Sequence, residues 1–199
     1  MKTTFLLISL LLSYQFSCVS ANKPKVHKVT FGIHDTFTVN ELPDSFIQTL
    51  KNTNIQFEKN TQSPVIGYIQ KSDSMILHLD LRKEKFRIVK TFYPVDKDAK
   101  YFAVVAIYPK PAIDISDIQT TECNGKNVEI HFNMKGAKKW AEITKNNIGK
   151  IVAFTIDNQI YTMPKIMAEI KTGEALINGL GNETIAKSIS ETLNSSIVN

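Results

Sequence analysis

Apolar positions recur along this chain with two different periods, and each period marks an element. Residues 22–30 are Lys-rich and contain Pro24, which reads as an N-terminal arm. Phe46, Ile47 and Leu50 then fall at helical spacing. Pro43 or Asp44 suits the first turn of that helix, and Asn52 and Asn54 end it. Strand-length runs follow at 65–69, 75–81, 86–92 and 101–108. In the second run Leu77, Leu79 and Leu81 take one face, and His78 and Asp80 take the other. The polar link Lys83, Glu84, Lys85 predicts a hairpin, and the run at 101–108 is apolar enough to be central.

In the second half, residues 122–126 read as a polar turn leading into an alternating strand at 128–132. The clearest helix covers 136–144, with Ala137, Trp140, Ala141, Ile143 and Thr144 inward. Asn146, Asn147 and Gly149 stop it. A buried strand at 151–156 turns through Asp157 and Asn158 into a partner at 159–163. Sheet strands at 166–170 and 176–178 are expected to flank a turn formed by Thr172, Gly173, Glu174 and Ala175. A last helix runs from Glu183 to Leu193 with Asn182 as its N-cap. Strands and helices mix without regular βαβ alternation. The expected class is α+β, a largely antiparallel sheet with helices packed on one face.

The first residues change this picture. Lys2 precedes a run of apolar residues at 5–12 that stops at Ser13, too short to span a bilayer, and Val19, Ser20 and Ala21 suit a signal peptidase. Residues 1–21 are therefore expected to be a signal peptide, and the rest a protein of the periplasm or cell surface, or a secreted one. A second route makes Cys18, preceded by Ser17, the lipidated first residue of an envelope lipoprotein, although Gln15 stands where an aliphatic residue is usual. The remaining 178 of 199 residues suffice for a core without disulfides. Loss of Lys2 lowers the net charge from +5 to +4. The charges are dispersed, which argues against a nucleic-acid partner. Cys123 would be the one cysteine left, so no internal disulfide is expected. No later apolar stretch has membrane length.

Residues 127–193 resemble the head subdomain of the first periplasmic region of SecD and SecDF, accessory subunits of the bacterial protein-export channel. The resemblance extends more faintly back to about residue 100. Val128, Glu129, Ile130, His131, Phe132 and Asn133 match the strand before the family's main helix, and Gly136, Ala137, Lys138, Lys139, Trp140 and Ala141 match its Gly-Ala-Lys-Lys-aromatic-Ala segment. Residues 147–158 match the strand-to-hairpin entry, and Pro164 with Ile166 the Ala-Pro-x-Ile. Ile170, Gly173, Ile177 and Gly179 match the turns and packing positions that follow. These are scaffold residues, so the resemblance implies a fold before an activity. The family's Gly-rich turn is thinned here to Thr172, Gly173, Glu174 and Ala175, and the membrane-embedded acidic groups of the family are absent. The expected division is a signal peptide at 1–21, an α+β region of its own kind at 22–98, and a head-like domain at 99–199.

No catalytic set emerges. The sequence has no HExxH helix, nucleophile elbow, phosphate loop or dinucleotide fingerprint. His78 with Asp80, or His34 with Asp35, could offer a metal two ligands, but a solvated strand face explains the first pair as well. Gly179, Leu180 and Gly181 before a helix are weak evidence for an anion site. No cofactor is expected. The expected function is an exported, non-enzymatic binding module for polypeptides or an envelope partner, with Thr172, Gly173, Glu174 and Ala175 as the partner-binding loop. The alternatives are a structural envelope lipoprotein without clients, and a metal-dependent hydrolase.

Overall fold

A computed structural model describes residues 29–72, 87–91 and 100–197. The leader with Cys18, the arm with His27, the run at 75–81 with His78 and Asp80, and the link at 83–85 lie outside the described residues. The expected first helix is α1 (Asp44–Lys51), which buries Phe46 and Leu50 one turn apart, starts after Pro43 and is capped at Asn52.

Before it comes a strand that the hydrophobic pattern did not flag, β1 (Phe31–Phe37), buried over its first four residues. β2 (Gln56–Phe57), β3 (Val65–Gln70), β4 (Arg87–Thr91) and β5 (Tyr101–Ile107) follow. β5 is central, as its composition suggested: β3 and the end of β1 pair along one side of it and β4 along the other. Phe102, Val104 and Ala106 of β5 join Ile66 and Ile69 of β3 under α1 in one core cluster.

β6 (Ile113–Asp114) pairs with β1, and so does β9 (Val152–Ile156), over five residue pairs from Phe31↔Ile156 to Asp35↔Val152. β9 turns into β10 (Gln159–Thr162) through Asp157 and Asn158, at φ 47° and 64°. Two consecutive left-handed residues are what a two-residue hairpin with native twist requires, and Asp and Asn accept them. The large antiparallel sheet therefore has the order β10-β9-β1-β5-β3-β2, with β4 on β5 and β6 on β1. β1, from the N-terminal side, lies beside β9, from the C-terminal side.

A second, three-stranded antiparallel sheet has the order β11-β8-β7. β8 (Asn127–Phe132) alternates buried and half-buried residues as expected. β7 (Ile118–Asn124) corrects the reading of residues 122–126 as a turn: Glu122, Cys123 and Asn124 are strand, and the turn is Gly125 with Lys126. β11 (Glu174–Ile177) corrects the expectation around 166–178. Residues 166–170 are not a strand, because their backbone bonds go elsewhere. Ile166 pairs with Gly149 and Lys150, and the Ile170 amide donates to Thr144 Oγ1 at 2.9 Å.

Two helices close the core between the sheets. α2 (Met134–Asn146) is capped by Asn133, whose side chain accepts from the Lys135 and Gly136 amides, and it buries Gly136, Trp140 and Thr144. Gly136 lies against the Asp117 carbonyl with no room for a Cβ, which gives the first position of the Gly-Ala-Lys-Lys segment a packing reason. α3 (Glu183–Ile197) starts at the expected place, with Asn182 Oδ1 accepting from the Ile185 amide, and runs one turn beyond Leu193. Phe31, Ile33, Phe132, Trp140, Phe154, Ile177, Leu180 and Leu193 share the largest core cluster. The class is α+β as expected, with antiparallel strands in two sheets and three α-helices among the described residues.

Candidate functional site

The two edges of the three-stranded sheet are finished differently. Along β7 the residues bonded to β8 alternate with residues facing outward, and Thr121 faces outward. Its amide donates to Asn194 Oδ1 and its carbonyl accepts from Asn194 Nδ2, both at 2.8 Å. Its hydroxyl meets Ser190 of the same helix at 3.0–3.1 Å. One carboxamide of α3 thus bonds the strand as another strand would, and that edge is closed.

The opposite edge is β11. The Phe132 amide donates to the Gly173 carbonyl at 2.9 Å, which sets the phase of the ladder. Ala175 with Ile130 and Ile177 with Val128 are the hydrogen-bonded pairs, while Glu174 and Leu176 turn their backbone groups away from β8. The Glu174 carbonyl is taken by Trp140 Nε1 at 2.8 Å. Among the described residues the Leu176 amide and carbonyl make no bond to β8, and Leu176 is 42 % exposed.

The expected partner-binding loop is thus the entrance to this edge strand. Thr172 and Glu174 are exposed, Ala175 is half-buried, and Gly173 is buried. Gly173 has φ +75°, and a Cβ there would come within 2.9 Å of Ala137 Cβ, so glycine is required on both counts. The expectation of a turn over Thr172, Gly173, Glu174 and Ala175 is corrected, since Glu174 and Ala175 belong to the ladder. On the outer face of the sheet Glu174 Oε1 lies 3.7 Å from His131 Nδ1.

A second feature is an open cleft of about 630 Å³, whose lining includes Asp35, Phe37, Glu41, Tyr108, Lys150 and Lys165. The Phe37 and Tyr108 rings stack at 4.5 Å. Asn147 ties the walls together, since its Nδ2 donates to Asp35 Oδ1 and to the Ile143 carbonyl, both at 3.1 Å. None of the residues 172–175 lines this cleft.

Of the other residues raised by the sequence, His34, Asp35, Cys123 and Trp140 have structural partners. His34 is buried, its Nδ1 donating to the Tyr108 carbonyl at 2.8 Å and its Nε2 lying 3.1 Å from Thr155 Oγ1. With Asp35 held by Asn147, these two are not a ligand pair. Among the described residues no three His, Cys, Asp or Glu side chains are grouped so as to hold a metal. Cys123 is half-buried, with its Sγ directed at the Gly125 and Glu183 carbonyls. Trp140 is core, 2 % exposed. Sequence reasoning missed the cleft, because its lining is gathered from separate segments spread from Asp35 to Lys165.

Residues 107–198 match the family model described as SecDF, P1 head subdomain, which bears out the resemblance read from residues 127–193. The chain is 41 % identical over 68 residues to the protein translocase subunit SecDF of Thermus thermophilus, covering 34 % of this chain and 9 % of that protein. It is 33 % identical over 78 residues to the SecD subunit of Rhodothermus marinus, covering 39 % and 12 %. The chain thus spans about a tenth of the length of these relatives. A solved SecDF structure, described as a membrane component that enhances protein export, aligns over 84 % of this chain and 63 % of its own, with a TM-score of 0.48 and 21 % identity. No helix among the described residues is long and apolar enough to cross a membrane.

Proposed function

We propose that this chain is a non-catalytic, exported binding module that holds extended polypeptide by strand addition at β11, in the service of protein export or envelope assembly. The observation that carries the reading is the asymmetry of the three-stranded sheet. The β7 edge is closed by Asn194, whereas the Leu176 amide and carbonyl on β11 face outward. Backbone pairing at such an edge is independent of the client's side chains, which suits a binder of many unfolded sequences. The likeness of residues 107–198 to a head subdomain of an export subunit supports the same reading. In it, Thr172, Gly173, Glu174 and Ala175 guide the client onto the edge.

Leu176→Pro is the test. The Leu176 amide lies outside the β8 ladder, and proline is tolerated on edge strands where the missing N–H faces solvent. The variant should keep its fold by circular dichroism and lose about five-fold or more of its affinity for a reduced, carboxymethylated protein in a fluorescence anisotropy titration. Unchanged affinity rejects the edge.

The stacked pair Phe37 and Tyr108 favours a second place of binding, the cleft. Tyr108 is 46 % exposed, and an aromatic ring at a polar cleft can cover one client side chain. If Tyr108→Ala lowers the affinity and Leu176→Pro does not, the client lies in the cleft.

A further inference from the structure

A strand added to β11 would lie beside an acidic sheet face. In the ladder of β11 with β8, Glu174 lies opposite His131 and Leu176 opposite Glu129; in the next ladder Glu122 lies opposite Glu129. These five side chains share the outer face of the sheet, since the residues that alternate with them, Val128, Ile130 and Ile177, are buried. β7, β8 and β11 contain no Lys or Arg, although the chain as a whole carries a net charge of +5. Two glutamates directly across from each other repel, and a cation on that face relieves them. Glu174 stands at the open edge, with its side chain 60 % exposed. Its ion-pair partner among the described residues is His131 at 3.7 Å, a ring that carries charge only when protonated. The nearest lysine along the chain, Lys171, is engaged by Glu169 at 3.4 Å.

We infer that β11 selects basic polypeptide segments and that Glu174 sets the choice: the client residue facing Glu174 is Lys or Arg, and the residue two positions away, facing Leu176, is apolar. The inference rests on strand addition at β11 and names the clients that such addition favours. The ladder dictates the spacing. Glu174 and Leu176 both turn their backbone groups away from β8, so each stands opposite a client residue in an added ladder, and alternate residues of that client share the outer face. Side chains directly opposite are about 5 Å apart at Cβ, where opposite charges attract and like charges are unfavourable. Leu176, 42 % exposed, offers the client's other outer residue an apolar contact. Trp140 Nε1 holds the Glu174 carbonyl at 2.8 Å and so fixes where Glu174 stands on the edge. Glu129, one strand inward, adds to the same negative field.

The test is fluorescence anisotropy of the full chain with labelled peptides in which Leu and X alternate at every second position, with Thr between them, X being Lys, Gln or Glu. The positive charge of the whole chain favours the Glu peptide, so the opposite order reports the local face. The Lys peptide should bind about three-fold or more tighter than the Gln peptide, with the Glu peptide weakest, and the spread should shrink as salt rises. Glu174→Gln should bring the ratio of Lys to Gln affinities to about one, and Glu174→Lys should reverse the order; circular dichroism checks that both variants keep the fold. Leu176→Pro separates this inference from the reading beneath it. If that variant weakens all three peptides but the parent shows no preference for Lys, or the preference survives Glu174→Gln, the edge stands and selection by Glu174 is overturned. If Leu176→Pro weakens none of them, the edge is rejected and the inference falls with it.

Discussion

Replacing Trp140 with alanine would remove a ring that packs 5.9 Å from Phe132 and 6.0 Å from Phe154 and holds the Glu174 carbonyl. Loss of a buried Trp of this kind costs about 3–5 kcal/mol, and urea denaturation should show a loss in that range. Trp140→Phe keeps most of the packing and frees the Glu174 carbonyl, so it should be milder for stability and should not weaken polypeptide binding. A second residue-scale effect concerns acid. Asp114 is held below the ordinary aspartate value of 3.8 first by the Ser116 hydroxyl, with the Ser116 amide adding to it against partial burial. A lowered folded pKa contributes stability that is present above the unfolded value and lost as pH falls through the folded one. Ser116→Ala should therefore lose stability near neutral pH and show a shallower decline below about pH 4. An unchanged acid limb in thermal melts at a series of pH values would show that Ser116 does not hold this carboxylate.

At the scale of elements, Asn194 on α3 is the clearest handle. Asn194→Ala would leave the Thr121 amide unpaired at a covered edge, while the carbonyl keeps the Ser190 hydroxyl at 3.1 Å, and this should cost about 1–3 kcal/mol. Urea denaturation should show that loss; a variant as stable as the parent would contradict the role given to Asn194. The same contact explains why some elements were legible in the sequence and others were not. α1, α2, β8 and the hairpin from β9 to β10 announce themselves locally, through the spacing of Phe46 and Leu50, of Trp140 and Thr144, through alternation, and through Asp157 with Asn158. β7 did not, because its one outward-facing threonine is satisfied by a residue 73 positions away. Residues 166–170 look like a strand but spend their backbone bonds on Gly149, Lys150 and Thr144. The loop at 172–175 was legible as a place, whereas its union with an open edge depends on the phase of the β8 ladder, which no local pattern encodes.

At the scale of the whole molecule, the family-model match covers residues 107–198 and leaves out β1, yet β1 pairs with β9 from Phe31 to Asp35 and puts Phe31 and Ile33 into the main core. A fragment limited to residues 107–199 should therefore lose cooperative melting or associate through the exposed edge of β9, as size-exclusion chromatography would show. A monomeric fragment with the parent's melting temperature would contradict that dependence. The central claim, that extended polypeptide adds to β11, is tested most directly by hydrogen exchange read at single amides. In the free chain the Leu176 amide should exchange much faster than those of Ala175 and Ile177, which lie in the β8 ladder. With saturating unfolded polypeptide, Leu176 should become protected while Ala175, Ile177 and the Asn194-bonded Thr121 change little. Saturated binding with Leu176 still exchanging at its free rate would contradict the account.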